Sequence, residues 1–166
     1  VHRIYLDMLP LQKKVYLDLK SGILQTAKSV RAVKLLAKMK YLFMCVDGAL
    51  RTHIGLSCKV PASLNLIDAF MQSGKKVVLF SHSKRVVDYL EPLIQQKGLN
   101  VLRITGSEDE NIRFRAMQLF NEDPEYKVLL MTTAGSRGIN LPGAWNLIMY
   151  NSTYNPAMNK QIFGRL

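Results

Sequence analysis

The chain has 166 residues, enough to bury a real core as one domain, and 48% of them are apolar with 8% aromatic, which excludes a disordered chain. Its formal charge of +11 points to a polyanion partner such as nucleic acid, with plain solubility as the alternative use of that charge. No apolar run approaches a membrane span and Val1-His2-Arg3 is no signal peptide, so the expected setting is intracellular, in cytoplasm, nucleoid or nucleus, with no membrane partner.

The charge is uneven. Residues 1–60 carry 11 basic and 3 acidic side chains, net +8, whereas 61–166 carry 12 and 9, net +3. The chain starts without Met and stops on Gly164-Arg165-Leu166 within a helical pattern, and is expected to be part of something longer. Cys45 and Cys58, with His53 between them, lack the ligand density of a metal site and read as reduced, buried thiols.

In chain order, the alternation His2, Ile4, Leu6 against Arg3, Tyr5, Asp7 predicts a short strand. Pro10 then opens a helix through Leu11, Val15, Tyr16 and Leu19, which Ser21-Gly22 is expected to break. A second helical stretch over about 23–46 carries Lys28, Arg31, Lys34 and Lys38 within roughly a 120° arc, either a solvated face or a nucleic-acid stripe. Residues 48–61 read as a loop. Helix 62–72 ends at Ser73-Gly74, a C-cap signal.

From Lys75 the pattern becomes β-α-β-α-β-loop-β-α. Apolar runs at Val77-Val78-Leu79-Phe80, Val101-Leu102-Arg103-Ile104, Lys127-Val128-Leu129-Leu130-Met131 and Leu147-Ile148-Met149-Tyr150 predict four strands. Helices over 84–97 and 109–121 separate the first three, the second opening with Glu108, Asp109 and Glu110, where the helix dipole favours acids. Asn155-Pro156 opens a last helix. Short apolar strands joined by single helices predict a mostly parallel sheet covered on both faces.

The third strand runs into Thr132-Thr133-Ala134-Gly135-Ser136-Arg137-Gly138-Ile139-Asn140-Leu141. Small and hydroxylic residues after a strand set bare amides at the carboxyl edge of the sheet, where open α/β sheets bind ligands and phosphate is the natural guest. A plain βα turn is the structural alternative.

Six stretches together resemble the second RecA-like lobe of superfamily 2 helicases, most closely the Swi/Snf-type DNA translocases. Met8-Leu9-Pro10-Leu11-Gln12…Tyr16 resembles the Pro-Leu-Gln…Tyr stretch ahead of that lobe. Lys76 to Ser81 is similar to motif IV, a strand ending in Phe-Ser, and Gly106-Ser107…Arg113…Phe120-Asn121 to the element after it. Thr132 to Leu141 resembles motif V with its Gly-Ile-Asn-Leu ending, Tyr154-Asn155-Pro156 stands for Trp-Asn-Pro, and Gln161…Gly164-Arg165 resembles the front of motif VI.

There are departures. Thr105 stands where Asp is usual before Gly-Ser, and His82 where Gln is common. The resemblance would put the second arginine of motif VI past Leu166. No phosphate-binding Gly-x-x-x-x-Gly-Lys loop occurs in the chain, and no Asp-Glu pair follows an apolar strand to hold magnesium; the family keeps both on the companion N-terminal lobe.

The resemblance implies an α/β, RecA-like lobe of the P-loop NTPase type over 57–166, with 1–56 as an N-terminal helical extension packed on it. It implies ATP and magnesium as cofactors, held mainly by the companion lobe, and DNA, in duplex form, as partner. Arg165 would be the guanidinium that stabilises charge on the leaving phosphate. Arg137, Gly138, Asn140 and Gln161 would face the nucleotide, Gly138 allowing close approach and Asn140 bonding hydroxyls. Ser81, Gly106, Ser107 and Thr132 would form a phosphate-tracking rim that reads no bases; helix capping is the structural alternative for Ser81, Ser83 and Ser107. A DEAD-box RNA helicase lobe, a non-enzymatic nucleic-acid-binding α/β module and a doubly wound enzyme for a small phosphorylated substrate are the rival readings. Trp145, Tyr150 and Tyr154 read as packing residues.

Overall fold

A computed structural model describes residues 2–27, 42–47, 57–133, 141–142 and 146–151. Its chain divides into two compact units, Val1–Ala62 and Ser63–Leu166.

In the first unit, helix α1 (Pro10–Ala27) begins at the proline, whose missing N–H falls where helices leave that donor unused. It runs unbroken through Ser21-Gly22, contrary to expectation. A helix-interior glycine costs only about 1 kcal/mol, and the Ser21 hydroxyl donates to Asp18 O at 2.9 Å inside the same turn. The short strand expected over 2–7 is also absent: these residues are unpaired, exposed coil. Alternation marks a strand only where one face is buried and a neighbour takes the ladder.

Residues 42–46 are helical and are tied to the start of α1 by Gln12. That side chain is buried, donates to Cys45 O and Val46 O, and accepts from Leu9 N and Cys58 N. Ser57 Oγ donates to Val46 O at 2.7 Å and Lys59 pairs with Asp47 at 2.6 Å. Cys45 is buried and burial pushes its thiol pKa up, whereas Cys58 is only half-buried; both are free thiols.

Helix α2 (Lys59–Gln72) closes on Gly74 at φ +66. Gly74 N donates to Met71 O and Lys75 N to Phe70 O, the paired bonds of a glycine C-cap. Strand β1 (Val77–Ser81), helix α3 (Lys84–Gln95), strand β2 (Asn100–Ile104), helix α4 (Glu110–Glu122), strand β3 (Tyr126–Thr132) and strand β4 (Leu147–Met149) follow. The sheet order is β2-β3-β1-β4 and every pairing is parallel.

The strands are apolar throughout because both faces are covered. Val78 and Phe80 of β1 sit beside Leu129 and Met131 of β3 and pack on Ala116 and Phe120 of α4. Val77, Leu79, Val128 and Leu130 alternate with them and are equally buried. Helix α3 lies against strands β1 to β3 and buries Val86, Val87, Leu90 and Ile94, one stripe at helical spacing. Ile112 of α4 is exposed, and Ala116 and Phe120 carry that helix's packing.

At the amino edge, Lys76 Nζ donates to the carbonyls of Phe120, Asn121 and Asp123, capping the end of α4. Burial lowers its pKa, Asp123 raises it and Lys127 lowers it again, for a net fall.

Candidate functional site

The chain leaves β1 toward β2 on one side of the sheet and leaves β3 toward β4 on the other, yet β1 and β3 are direct neighbours. Their carboxyl ends therefore flank the point where strand order reverses, the place at which open α/β sheets bind ligands. Ser81 and Thr132 are register partners across that point.

Both are buried, Ser81 completely and Thr132 to 4% exposure. Their hydroxyls are thus withdrawn from the surface expected of a phosphate rim. Ser81 Oγ accepts from Ser83 N at 3.2 Å, tightening the turn into α3, while Ser83 occupies the N-cap without a side-chain bond. Gly106 and Ser107 are exposed, on the turn after β2. That turn is separated from β1 by β3, so the four rim residues share the carboxyl edge but form two groups.

Beyond Ser81, His82 links three strand ends. Its amide donates to Asn151 Oδ1 at 2.8 Å, past β4, and its Nδ1 lies 2.6 Å from Thr133 Oγ1, past β3. The ring meets Phe80 edge-on at 5.0 Å.

The turn after β2 is braced by a carboxylate that sequence reasoning treated only as a helix-dipole acid. Glu108 accepts from both the amide and the hydroxyl of Thr105, the latter at 2.6 Å, and from Arg103 Nε at 2.9 Å. Arg103 also reaches Glu91 at 2.9 Å and Asp88 at 3.3 Å on α3. Burial pushes the Glu108 carboxyl pKa up, but the Thr105 and Arg103 bonds outweigh it and hold it down at about 2. For Arg103, burial is outweighed by Glu91 and Glu108, so its pKa is raised. The one signal available in the sequence was Thr105 itself, standing where the resembled family usually has Asp. Asp109, not Ser107, caps α4, its Oδ1 accepting from Ile112 N at 2.8 Å.

Arg137, Gly138, Asn140, Gln161 and Arg165 lie outside the described residues, as do Lys28, Arg31, Lys34, Lys38, His53, Trp145, Tyr154 and the helix expected at Pro156. The structure describes the strand that leads into the first three, up to Thr133. Among the described residues, no three His, Cys, Asp or Glu side chains cluster as a metal site requires, and no helix is long and apolar enough to cross a membrane.

Comparison with known proteins gives this edge a context. Residues 59–166 match the helicase conserved C-terminal domain. The chain is 33% identical over 113 residues to Helicase SWR1 of Candida albicans, a match covering 67% of the chain and 7% of that protein; other curated relatives are likewise spanned only in small part. The fold is that of the Sulfolobus solfataricus SWI2/SNF2 ATPase C-terminal domain, with a TM-score of 0.82 at 21% identity over 93% of this chain and 72% of that one. The ATPase core of the same organism in complex with dsDNA superposes with a TM-score of 0.83 at 19% identity, covering 96% of this chain and 36% of that one. With the family model matching 59–166 and the parallel RecA-like sheet in place, the chain belongs to the helicase conserved C-terminal domain family.

Proposed function

We propose that this chain is the C-terminal motor lobe of an ATP-dependent DNA translocase, supplying half of an ATP site and part of a DNA phosphate track. The observation that carries the reading is the adjacency of the β1 and β3 carboxyl ends at the point where strand order reverses. The stretch bearing Arg137, Gly138 and Asn140 follows β3 directly in sequence, and Gly106-Ser107 stands exposed on the same edge.

In this reading residues 57–166 are the lobe and 1–56 an extension that serves it. ATP is the substrate, and a companion N-terminal lobe grips its triphosphate and the magnesium ion. Gly138, Asn140, Arg137 and Gln161 face the nucleotide from this side. Arg165 presents its guanidinium to the leaving phosphate when the lobes close, a contribution worth orders of magnitude in rate. Gly106 and Ser107 meet backbone phosphates, which suits a motor that steps along any sequence. Ser81 and Thr132, being buried, shape the edge from beneath. The excess of basic residues adds attraction that weakens steeply with salt. The protein works inside the cell, where DNA is.

Duplex DNA is favoured over RNA by the Gly-Ile-Asn-Leu and Tyr-Asn-Pro stretches, and a Swi2/Snf2 ATPase core of the same fold has been solved with dsDNA. The test is ATP turnover by the complete protein with duplex DNA and with RNA. Stimulation by duplex DNA is expected; stimulation by RNA alone would move the assignment to an RNA helicase. The chain by itself should show no turnover, and measurable hydrolysis by it would refute the half-site.

A further inference from the structure

The turn after β2 is exposed, yet most of its polar hydrogens are spent within it. An ionised carboxylate only accepts, so the Thr105 hydroxyl gives its proton to Glu108 Oε2 at 2.6 Å. Its oxygen is then left to accept from Ser107, whose hydroxyl lies 2.8 Å away and whose amide lies 3.3 Å away. The other acceptor in reach of the Ser107 hydroxyl is Glu108 Oε1, at 3.3 Å. On either partner the single Ser107 proton points inward, and the serine shows solvent only lone pairs, which a phosphate oxygen does not seek. The Thr105 amide also goes to Glu108. Glu108 is only 11% exposed with Arg103 against it at 2.9 Å, so its charge is met inside the fold. Gly106 is exposed, and among the described residues nothing accepts from its N–H.

We propose that Glu108 is a positioning residue of the DNA track: by drawing Thr105 and Ser107 inward, it leaves the Gly106 amide as the donor that this turn offers a backbone phosphate. The inference rests on the motor reading above and names the group through which the turn acts. At a glycine no side chain stands between the amide and the phosphate, and a main-chain contact of this kind reads no base. Ser107 then serves the track as a strut, its two hydrogens holding the turn in shape.

The experiment uses the complete protein and measures ATP turnover with increasing duplex DNA. Glu108→Gln should raise the DNA concentration for half-maximal stimulation about fivefold to tenfold, the scale of one hydrogen bond, while turnover at saturating DNA stays within about twofold. Gly106→Pro removes the N–H and should do the same. Joined to Gly106→Pro, Glu108→Gln should add less than about twofold, because no donor is left to position. Thr105→Val keeps the amide bond to Glu108 and removes the hydroxyl. It should raise the DNA requirement too, without multiplying the effect of Glu108→Gln, a check that does not depend on proline fitting the turn. Lys76→Met, at the opposite edge of the sheet, strips α4 of its cap and should leave the DNA requirement within about twofold. An unchanged requirement in Glu108→Gln, multiplied losses in either double variant, an equal shift in Lys76→Met, or lost turnover at saturating DNA would each overturn the positioning role and leave the motor reading standing. Absence of any stimulation by duplex DNA in the unaltered protein would overturn both.

Discussion

The carboxylate of Glu108 takes both polar hydrogens of Thr105, one from the amide and one from the hydroxyl. Thr105 is fully buried and the Glu108 side chain only 11% exposed, so this is an internal clamp at the foot of an exposed turn. Arg103 closes it from the other side at 2.9 Å.

The clamp has a pH signature. Its pKa falls from the usual 4.5 to about 2 in the folded protein. A depressed carboxylate stabilises fully above its unfolded value and loses that contribution as pH falls toward the folded one. Stability should thus decline between about pH 4.5 and 2 by on the order of 2 kcal/mol. In Glu108→Gln this part of the decline should vanish. Urea unfolding across that range checks it; an unchanged slope in the variant would refute the clamp. Thr105→Asp should be destabilising by itself, since it sets two carboxylates face to face, and should be relieved by Glu108→Thr.

Gln12 is the corresponding buried group of the first unit. Four hydrogen bonds of 3.1 to 3.3 Å leave neither end of its amide unpaired. Gln12→Leu would strand two carbonyls and two amides and should cost about 3 kcal/mol. Gln12→Glu, which keeps the acceptor and loses the donor, should cost a comparable amount. A urea midpoint unmoved by either change would show that water replaces the side chain freely.

Lys76 caps the end of α4 with a charge, giving its hydrogens to Phe120, Asn121 and Asp123 carbonyls. Lys76→Met keeps the aliphatic stem and removes the donors, and should destabilise by about 1–3 kcal/mol. Hydrogen exchange should quicken first in the last turn of α4. Uniform quickening along the sheet would mean that the lysine supports the whole core.

Arg165→Ala in the complete protein should leave ATP binding nearly intact and lower turnover by about 10³-fold or more. Paired nucleotide-binding and single-turnover measurements separate the two. Unaltered turnover would remove Arg165 from the chemistry.

By itself the sequence determined the strands and most helix ends, because these are local. Fully apolar runs such as Val77 to Phe80 can be satisfied only inside a sheet covered on both faces, and Gly74 can take a positive φ that few residues tolerate. It misjudged Ser21-Gly22 and the alternation at 2–7, where a weak local preference decides nothing without packing. The depth of Ser81 and Thr132, the reach of Arg103 across to α3, the four bonds of Gln12 and the meeting of His82 with Thr133 were decided by tertiary structure. Each joins groups distant in sequence or depends on strand order, and parallel order is set by how crossovers pack, which no local pattern encodes.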